Sequence, residues 1–255
     1  MSITTGPDNR INSNYNISGV VSDSLQLYYD PARFYSYSGN GPTIKDLSGN
    51  GRDLTMYTYG GTTYSSNPPQ GVPFTTIKGG EFTFDGVNDF GILPSTLYPG
   101  TTFTVSAWIK TSATGELAIF SHCNGGPVNA AFTIASGRMR MMYYTVAWQI
   151  FDGSVTTIND GNWHYCVWSV NGTNCEYYLD NNLTDTTTLV GQINPSIYSL
   201  GSKWGPCNSQ GYGPGTDGPH AQFNGQMGVI MVHSKELSDT EIEHHWDIFK
   251  FRYDL

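Results

Sequence analysis

The feature that most constrains the fold is the alternation of apolar and polar residues between positions 81 and 110. Phe82 and Phe84 alternate with polar neighbours, and the dipeptide Asp85-Gly86 then interrupts the pattern as a turn does. In the later segment FTVSAWIK, one face of a strand would carry Phe103, Val105, Ala107 and Ile109. The other face carries Trp108 among small polar residues, so it suits the wall of a groove as well as a solvated surface. Two β-strands joined by a loop are predicted here.

Further short strands are predicted along the chain, because apolar and alternating runs are separated by turn signals. These strands cover residues 25–29, 119–123, 131–134, 138–144, 147–151, 163–170, 175–180 and 227–233. The last of them is apolar on both faces, which predicts a central strand that is covered on both sides. Turn signals at this interval, without a long helical pattern, indicate a two-sheet sandwich.

One helix is predicted near the end of the chain, where Ser238 and Glu241 have the spacing of a capping box. Leu237 and Ile242 have the spacing of a hydrophobic staple. A stripe at helical intervals, predicted to face the core, consists of Ile242, His245, Trp246 and Phe249. His244 and His245 are adjacent and therefore point apart, which weakens a metal-site interpretation.

The order of the motifs also carries a family resemblance. FDGVNDF followed by FTVSAWIK resembles the paired core signature of the laminin-G-like, concanavalin A-like jelly rolls. The family's other motifs are matched by LQLYYDPARFYSYSGNGPTIKDLSGNGRDLT, NWHYCVWSVNGTNCEYYLDNNL and FNGQMGVIMVHSKELSDTEIEHHWDIFKFRY. The resemblance implies an all-β, two-sheet antiparallel jelly-roll sandwich with a short C-terminal helix, over residues 23–255. The opening Tyr28-Tyr29-Asp30-Pro31 and the ending Lys250-x-Arg252-Tyr253 are most similar to those of tailed-phage virion proteins.

Residues 1–22 lie outside the resemblance and are rich in Ser, Thr, Asn and Gly without periodicity. Two interpretations stay open for this segment. It is either a disordered terminus or an arm that orders on a neighbouring subunit. The second interpretation predicts contacts with other virion proteins and a homo-oligomer.

Composition excludes several classes of partner. The net charge is −9 and no run of basic residues occurs, which argues against a nucleic-acid partner and against an anionic membrane surface. No apolar run approaches the span of about 20 residues that membrane insertion needs. Met1 is not followed by an apolar segment, so no secretory signal is expected. The four cysteines match no zinc pattern and are expected to be free thiols.

A structural calcium ion is one expectation from the resemblance, with Asp46 and Asn50 as oxygen ligands in the turn Lys45-Asp46-Leu47-Ser48-Gly49-Asn50-Gly51. The alternative is that both side chains cap their own turn. The family's closing strand usually supplies an acidic residue where this sequence has Gly228, and that departure weakens the calcium expectation.

No catalytic constellation is recognised, so the chain is predicted not to be an enzyme. Glycosidases need two carboxylates at a fixed separation. The nearest pairs, Glu81 with Asp85 and Glu176 with Asp180, would lie about 13 Å apart on a strand, which is too far for either geometry.

Carbohydrate binding is easier to argue, because sugar rings stack on flat aromatic side chains while polar groups bind the hydroxyls. The candidate residues are Trp108, Trp148, Trp204 and Tyr212 for stacking, with Asn124 and Asp217 in polar loops. Core packing is the alternative for a tryptophan on a strand.

Two functional hypotheses remain. The first is a non-enzymatic phage virion structural protein, a fibre, spike or decoration subunit assembled in the host cytoplasm and displaying its jelly roll toward host surface polysaccharide. The second is a stand-alone carbohydrate-binding lectin module or adhesin.

Overall fold

The computed structural model describes residues 19–39, 41–59, 80–122, 130–203 and 221–255, together with the short segments 4–5, 11–12 and 64–65. The strands, in chain order, are β1 (Thr4–Thr5), β2 (Ile11–Asn12), β3 (Leu25–Tyr29), β4 (Thr43–Ile44), β5 (Leu54–Tyr59), β6 (Tyr64–Ser65), β7 (Phe82–Asp85), β8 (Asp89–Leu97), β9 (Thr102–Lys110), β10 (Glu116–Ser121), β11 (Ala130–Ala135), β12 (Arg138–Tyr144), β13 (Trp148–Asp152), β14 (Trp163–Asn171), β15 (Asn174–Leu179), β16 (Asn182–Thr188), β17 (Ile197–Leu200) and β18 (Asn224–His233). Helix α1 (Asp239–Phe249) follows β18 and continues into a 3-10 turn (Lys250–Arg252). No helix within these ranges is long and apolar enough to cross a membrane.

The strands form two large antiparallel sheets. Nine of the described strands make one sheet, in the order β13-β12-β11-β10-β17-β8-β5-β4, with β6 beside β5. Seven make the other, in the order β16-β15-β14-β9-β18-β3, with β7 beside β18, and β1 pairs with β2. The predicted all-β, two-sheet jelly-roll sandwich with a short C-terminal helix is therefore confirmed. The strand predicted at 119–123 instead runs from Glu116 to Ser121.

The main core lies between the two sheets. The β9 residues buried in it are Phe103, Val105, Ala107 and Ile109, as the alternation predicted. Phe132 of the nine-stranded sheet meets Phe103 edge-on at 5.9 Å between ring centroids, and it meets Trp168 of the seven-stranded sheet at 6.0 Å. Each such side chain stabilises the fold by about 1.5–3 kcal/mol when it leaves water.

Helix α1 covers the outer face of the seven-stranded sheet. Trp108 lies on that face of β9, is fully buried, and stacks on three other aromatic rings. The ring centroids are 5.0 Å from Tyr165, 5.3 Å from Trp246 and 4.5 Å from Tyr253. The interpretation of this face as a groove wall is therefore wrong, because α1 and the residues after it fill the space above Trp108.

The start of α1 confirms the predicted capping box. The Ser238 hydroxyl accepts from the Glu241 backbone N–H at 3.4 Å, and the Glu241 carboxylate accepts from the Ser238 backbone N–H at 3.0 Å. Leu237 is buried, as the staple requires. The helix residues that are fully enclosed are Ile242, His245 and Phe249. The predicted core-facing stripe is therefore present.

The two ends of the domain meet at Asp30, whose side chain is fully buried. Arg252 Nη1 donates to its two oxygens at 2.8 and 2.9 Å, and Arg33 Nε donates at 3.1 Å. The Tyr28 hydroxyl adds a further bond at 2.9 Å. A buried carboxylate is costly unless it is paired and hydrogen-bonded, and these partners meet that need. The opening and ending sequence motifs therefore form one structural unit.

Three histidines form hydrogen bonds with the backbone of residues 19–21, just before β3. Val21 donates its backbone N–H to His245 Nε2 at 3.0 Å, and the Val21 carbonyl lies 2.9 Å from His233 Nε2. His244 Nε2 lies 2.6 Å from the Gly19 carbonyl. His244 and His245 thus bind different backbone groups. The part of the predicted arm nearest the domain is held on the outer side of the seven-stranded sheet, beside α1.

Cys166 and Cys175 are free thiols and both are buried. Both line the main core between the sheets. Burial is the chief reason that the pKa of each thiol is raised. The expectation of free thiols is confirmed for these two residues, while Cys123 and Cys207 lie outside the described residues.

We predict that stability falls in acid because His233 and His245 are neutral in the folded protein. Burial lowers the pKa of His233 to about 4. Burial, and to a smaller extent the neighbouring His233, lowers the pKa of His245 to about 3. In the unfolded chain both bind a proton near pH 6.5. Between these values the unfolded state holds more protons, so the free energy of unfolding decreases as pH falls from about 6.5 toward 4.

Urea unfolding at a series of pH values measures this dependence. His245→Gln supplies a matched variant, because a glutamine oxygen can still accept from the Val21 N–H but does not titrate. We expect a shallower loss of stability in acid for this variant. An acid dependence identical to that of the unmodified protein would contradict the assignment to His245.

Candidate functional site

The candidate site is the outer face of the hairpin formed by β12 and β13, at one edge of the nine-stranded sheet. Met139, Met141 and Tyr143 of β12 face the main core, so the alternate residues face outward. The outward pairs set by the strand register are Tyr144 with Trp148, Met142 with Ile150, and Arg140 with Asp152. We call this surface the β12–β13 face.

Trp148 is the aromatic centre of the β12–β13 face, with 40% of its surface exposed. Its ring meets that of Tyr144 edge-on at 5.6 Å and that of His122 at 5.9 Å. His122 is buried, and burial, with a smaller effect of Lys203, lowers its pKa to about 4. His122 is therefore neutral at pH 7. These rings hold the tryptophan in place, while part of its surface remains exposed.

A group of charged residues lies on the same face. Arg140 holds Asp152 in a fork, with Nε–Oδ1 at 2.5 Å and Nη2–Oδ2 at 2.8 Å. Lys203 Nζ lies 3.2 Å from Glu116 Oε2, and Arg140 Nη1 lies 3.9 Å from Glu116 Oε1. The hydrogen bond from Arg140 is the main cause that lowers the pKa of Asp152. These two cations and two carboxylates make a balanced set of donors and acceptors.

The structure separates the predicted binding residues. Trp148 belongs to the β12–β13 face, whereas Trp108 is enclosed under α1 on the outer face of the other sheet. A buried ring cannot stack on a sugar, so Trp108 is corrected to a core residue. The predicted residues that lie outside the described ranges are Asn124, Trp204, Tyr212 and Asp217. Two described residues border these ranges. His122 contacts Trp148, and Lys203 forms an ion pair with Glu116.

No motif in the sequence singles out several other residues of this face. They are Glu116, Arg140, Tyr144, Ile150, Asp152 and Lys203. The alternation in β12 and the predicted β13 could have placed Arg140 and Tyr144 on one face. No sequence signal links Lys203 with Glu116, because the contact joins β10 to a residue that is distant along the chain.

Asp46 and Asn50 bind the backbone around them. Asp46 Oδ1 accepts from the N–H groups of Tyr28 at 3.1 Å and Ser48 at 2.9 Å, and Oδ2 accepts from the Arg52 N–H at 3.1 Å. The Asn50 amide donates to a carbonyl of β3 at 2.9 Å. N–H groups directed at the carboxylate repel a cation, so a calcium ion does not fit here. The structure supports the alternative, in which both side chains cap their turn.

Position 228, where the family usually carries an acidic residue, has no room for a side chain in this structure. A Cβ atom at Gly228 would overlap the phenol of Tyr253, whose oxygen accepts from the Val229 backbone N–H at 2.9 Å. No carboxylate could therefore occupy position 228 without displacing the end of the chain. Among the described residues, no group of three or more His, Cys, Asp or Glu side chains could hold a metal ion.

A comparison of the sequence with protein families decides its relationship. The model described as the concanavalin A-like lectin/glucanases superfamily matches residues 85–243, more than half of the chain. The chain belongs to this superfamily. The resemblance to concanavalin A-like jelly rolls is confirmed, while the similarity to phage virion proteins stays a prediction. No curated protein matched the sequence.

Solved structures share the superfamily fold at low identity. Domain 4 of AbnA, a GH43 extracellular arabinanase from Geobacillus stearothermophilus in complex with arabinotriose, has a TM-score of 0.60 at 17% identity, over 89% of this chain and 98% of that one. The binding domain of botulinum neurotoxin DC in complex with SialylT has a TM-score of 0.59 at 15% identity, over 90% of this chain and 52% of that one. This chain thus spans about half the length of that toxin domain. Such identities establish the fold alone.

We predict that the two strand tryptophans differ in their effect on stability. Trp108→Ala removes a fully buried ring from its stack, so the free energy of unfolding should decrease by about 3–5 kcal/mol. Trp148→Ala removes a half-exposed ring and should cost less than about 1.5 kcal/mol, the upper range for an aromatic pair. Urea unfolding of both variants measures the difference. Equal losses would contradict the placement of the two rings.

Proposed function

We propose that this chain binds carbohydrate through the β12–β13 face and does so without catalysis. The observation that carries the proposal is the half-exposed Trp148, held edge-on by two rings beside a balanced group of charged residues. A flat apolar ring can stack on a sugar, and the neighbouring carboxylates and guanidinium can bind its hydroxyls. Ligand sites commonly combine an apolar surface with a few fixed polar groups in this way.

The arrangement of the sandwich supports this choice of surface. α1 closes the outer face of the seven-stranded sheet, while the β12–β13 face presents Trp148 and Ile150 to solvent. Proteins of the same fold add weight by analogy. The arabinanase domain was solved with arabinotriose, and cell entry of botulinum neurotoxin type C is described as dependent on interaction with two ganglioside molecules.

The carboxylates of this face favour binding over hydrolysis. A glycosidase needs a protonated carboxylic acid, whose pKa is raised by its surroundings, beside a second carboxylate. Asp152 has a lowered pKa because Arg140 binds it, and Glu116 is paired with Lys203. Asp152 is therefore not suited to donate a proton to a leaving group at neutral pH. We therefore propose a binding protein and not an enzyme.

We further propose that the domain is displayed on a phage virion, as a fibre, spike or decoration subunit that forms a homo-oligomer through its N-terminal arm. The support is the similarity of the two terminal motifs to those of virion proteins, together with the position of the described residues 19–21 of the arm. His233, His244 and His245 hold residues 19–21 on the outer side of the seven-stranded sheet. The β12–β13 face lies on the other sheet, so attachment through the arm would leave it exposed.

A stand-alone carbohydrate-binding lectin module or adhesin is the second candidate. The observation that favours it is the likeness to domain 4 of the arabinanase, of which 98% is covered by this chain. A complete fold of this size can therefore exist as a separate domain of an extracellular protein. In that case the ligand would be the same, and only the attachment would differ.

Binding is tested on an array of neutral and acidic oligosaccharides. We predict that the full chain binds a subset of these glycans and that Trp148→Ala reduces the affinity about fivefold or more, since a lost stacking contact is worth about 1–3 kcal/mol. Phe251→Ala is the matched control, because Phe251 is an aromatic residue with 75% exposure that lies outside this face. Binding that survives Trp148→Ala unchanged would exclude this surface.

The arm is tested by light scattering on the full chain and on a chain that begins at Gly19, which keeps the residues bound by the histidines. We predict a homo-oligomer for the full chain and a monomer after removal of residues 1–18, because the arm supplies the contacts between subunits. If both forms are monomers, assembly through the arm is excluded and the lectin module is favoured.

A further inference from the structure

Trp148 and Asp152 mark the two ends of a strip along β13. They lie four residues apart and face the same way, so about 13 Å of strand separates them. The residues between them on this face are Ile150 and its cross-strand partner Met142. A single pyranose ring is shorter than this strip and could not contact both ends.

The polar end of the strip suits hydroxyl groups. Asp152 is 38% exposed, so its oxygens can accept hydrogen bonds from a ligand beside those from Arg140. Arg140 Nη1 is not part of the fork and lies 3.9 Å from Glu116. A donor and an acceptor side by side match two neighbouring hydroxyls of a sugar, one accepting from the guanidinium and one donating to the carboxylate.

The charges of the face disfavour an acidic ligand. Arg140 is held by Asp152, and Lys203 lies 3.2 and 3.4 Å from the two oxygens of Glu116. Arg138, the next outward cation on β12, donates to the carbonyls of Gly153 and Ser154. A ligand carboxylate would therefore meet cations that already have acceptors, and it would lie beside the negative charges of Asp152 and Glu116.

We infer that the β12–β13 face binds a neutral oligosaccharide, a disaccharide or longer, which lies along β13 from Trp148 to the Arg140–Asp152 pair. The inference rests on the proposed function and adds the class and the length of its ligand. One sugar unit stacks on Trp148, and a unit further along the chain is bound through its hydroxyls at the polar end.

The experiment uses the full chain and a set of neutral oligosaccharides from monosaccharide to hexasaccharide, printed beside their sialylated and uronic-acid counterparts. Hits are then measured by calorimetry. We expect affinity to rise with length until the ligand spans the strip, and the carboxylated counterparts to bind more weakly. Asp152→Asn should weaken the longer ligands about tenfold, the loss of one charged hydrogen bond, and should leave the shortest bound ligand unchanged.

The outcomes separate the inference from the proposed function. Absence of binding to every glycan overturns both. Binding that is confined to acidic glycans, or that is as strong for monosaccharides as for longer chains, overturns the inference and leaves carbohydrate binding intact. The role of the polar end is overturned if Asp152→Asn leaves the affinity for the longer oligosaccharides unchanged while Trp148→Ala abolishes their binding. Urea unfolding of Asp152→Asn verifies that the variant remains folded.

Discussion

The aromatic stack around Trp108 is the contact on which the rest of the molecule depends. Its ring lies against Tyr165 of the neighbouring strand, Trp246 of α1 and Tyr253 near the chain end, at centroid distances of 4.5 to 5.3 Å. β9 is therefore packed on both faces, by the second sheet on one side and by the helix on the other. Because α1 is amphipathic and buries its apolar stripe here, a single stack joins the centre of a sheet to the end of the chain.

This packing makes the two outer faces of the sandwich different. One outer face is closed by α1 and by the residues that precede β3, which His233 and His245 bind. The β12–β13 face carries Trp148 at the edge of the other sheet. In the proposed function, the side closed by α1 serves attachment and the β12–β13 face binds the ligand. The fold makes the two faces different, while the proposed binding depends on a few side chains of the β12–β13 face.

The opening and ending sequence motifs contact each other in the structure. Asp30 from the opening motif and Arg252 from the ending motif form an ion pair whose carboxylate is fully buried, with Arg33 and Tyr28 completing the hydrogen bonds. Breaking one partner of such a pair leaves a buried charge, which is costly. The two motifs are therefore coupled in three dimensions although they stand at opposite ends of the domain.

The sequence by itself determined the local structure, because alternation, turn dipeptides and a capping box act over a few residues. It predicted ten of the strands, the helix with its cap at Ser238, and the two-sheet class of fold, but it did not predict β5, β8, β16 or β17. It could not decide which tryptophan is exposed, since Trp108 and Trp148 both lie on strands with mixed faces. Only the tertiary structure decided this, because α1 covers the outer face that carries Trp108 and does not reach the β12–β13 face, where Trp148 is 40% exposed. Long-range contacts likewise placed Lys203 beside Glu116 and Tyr253 above Gly228.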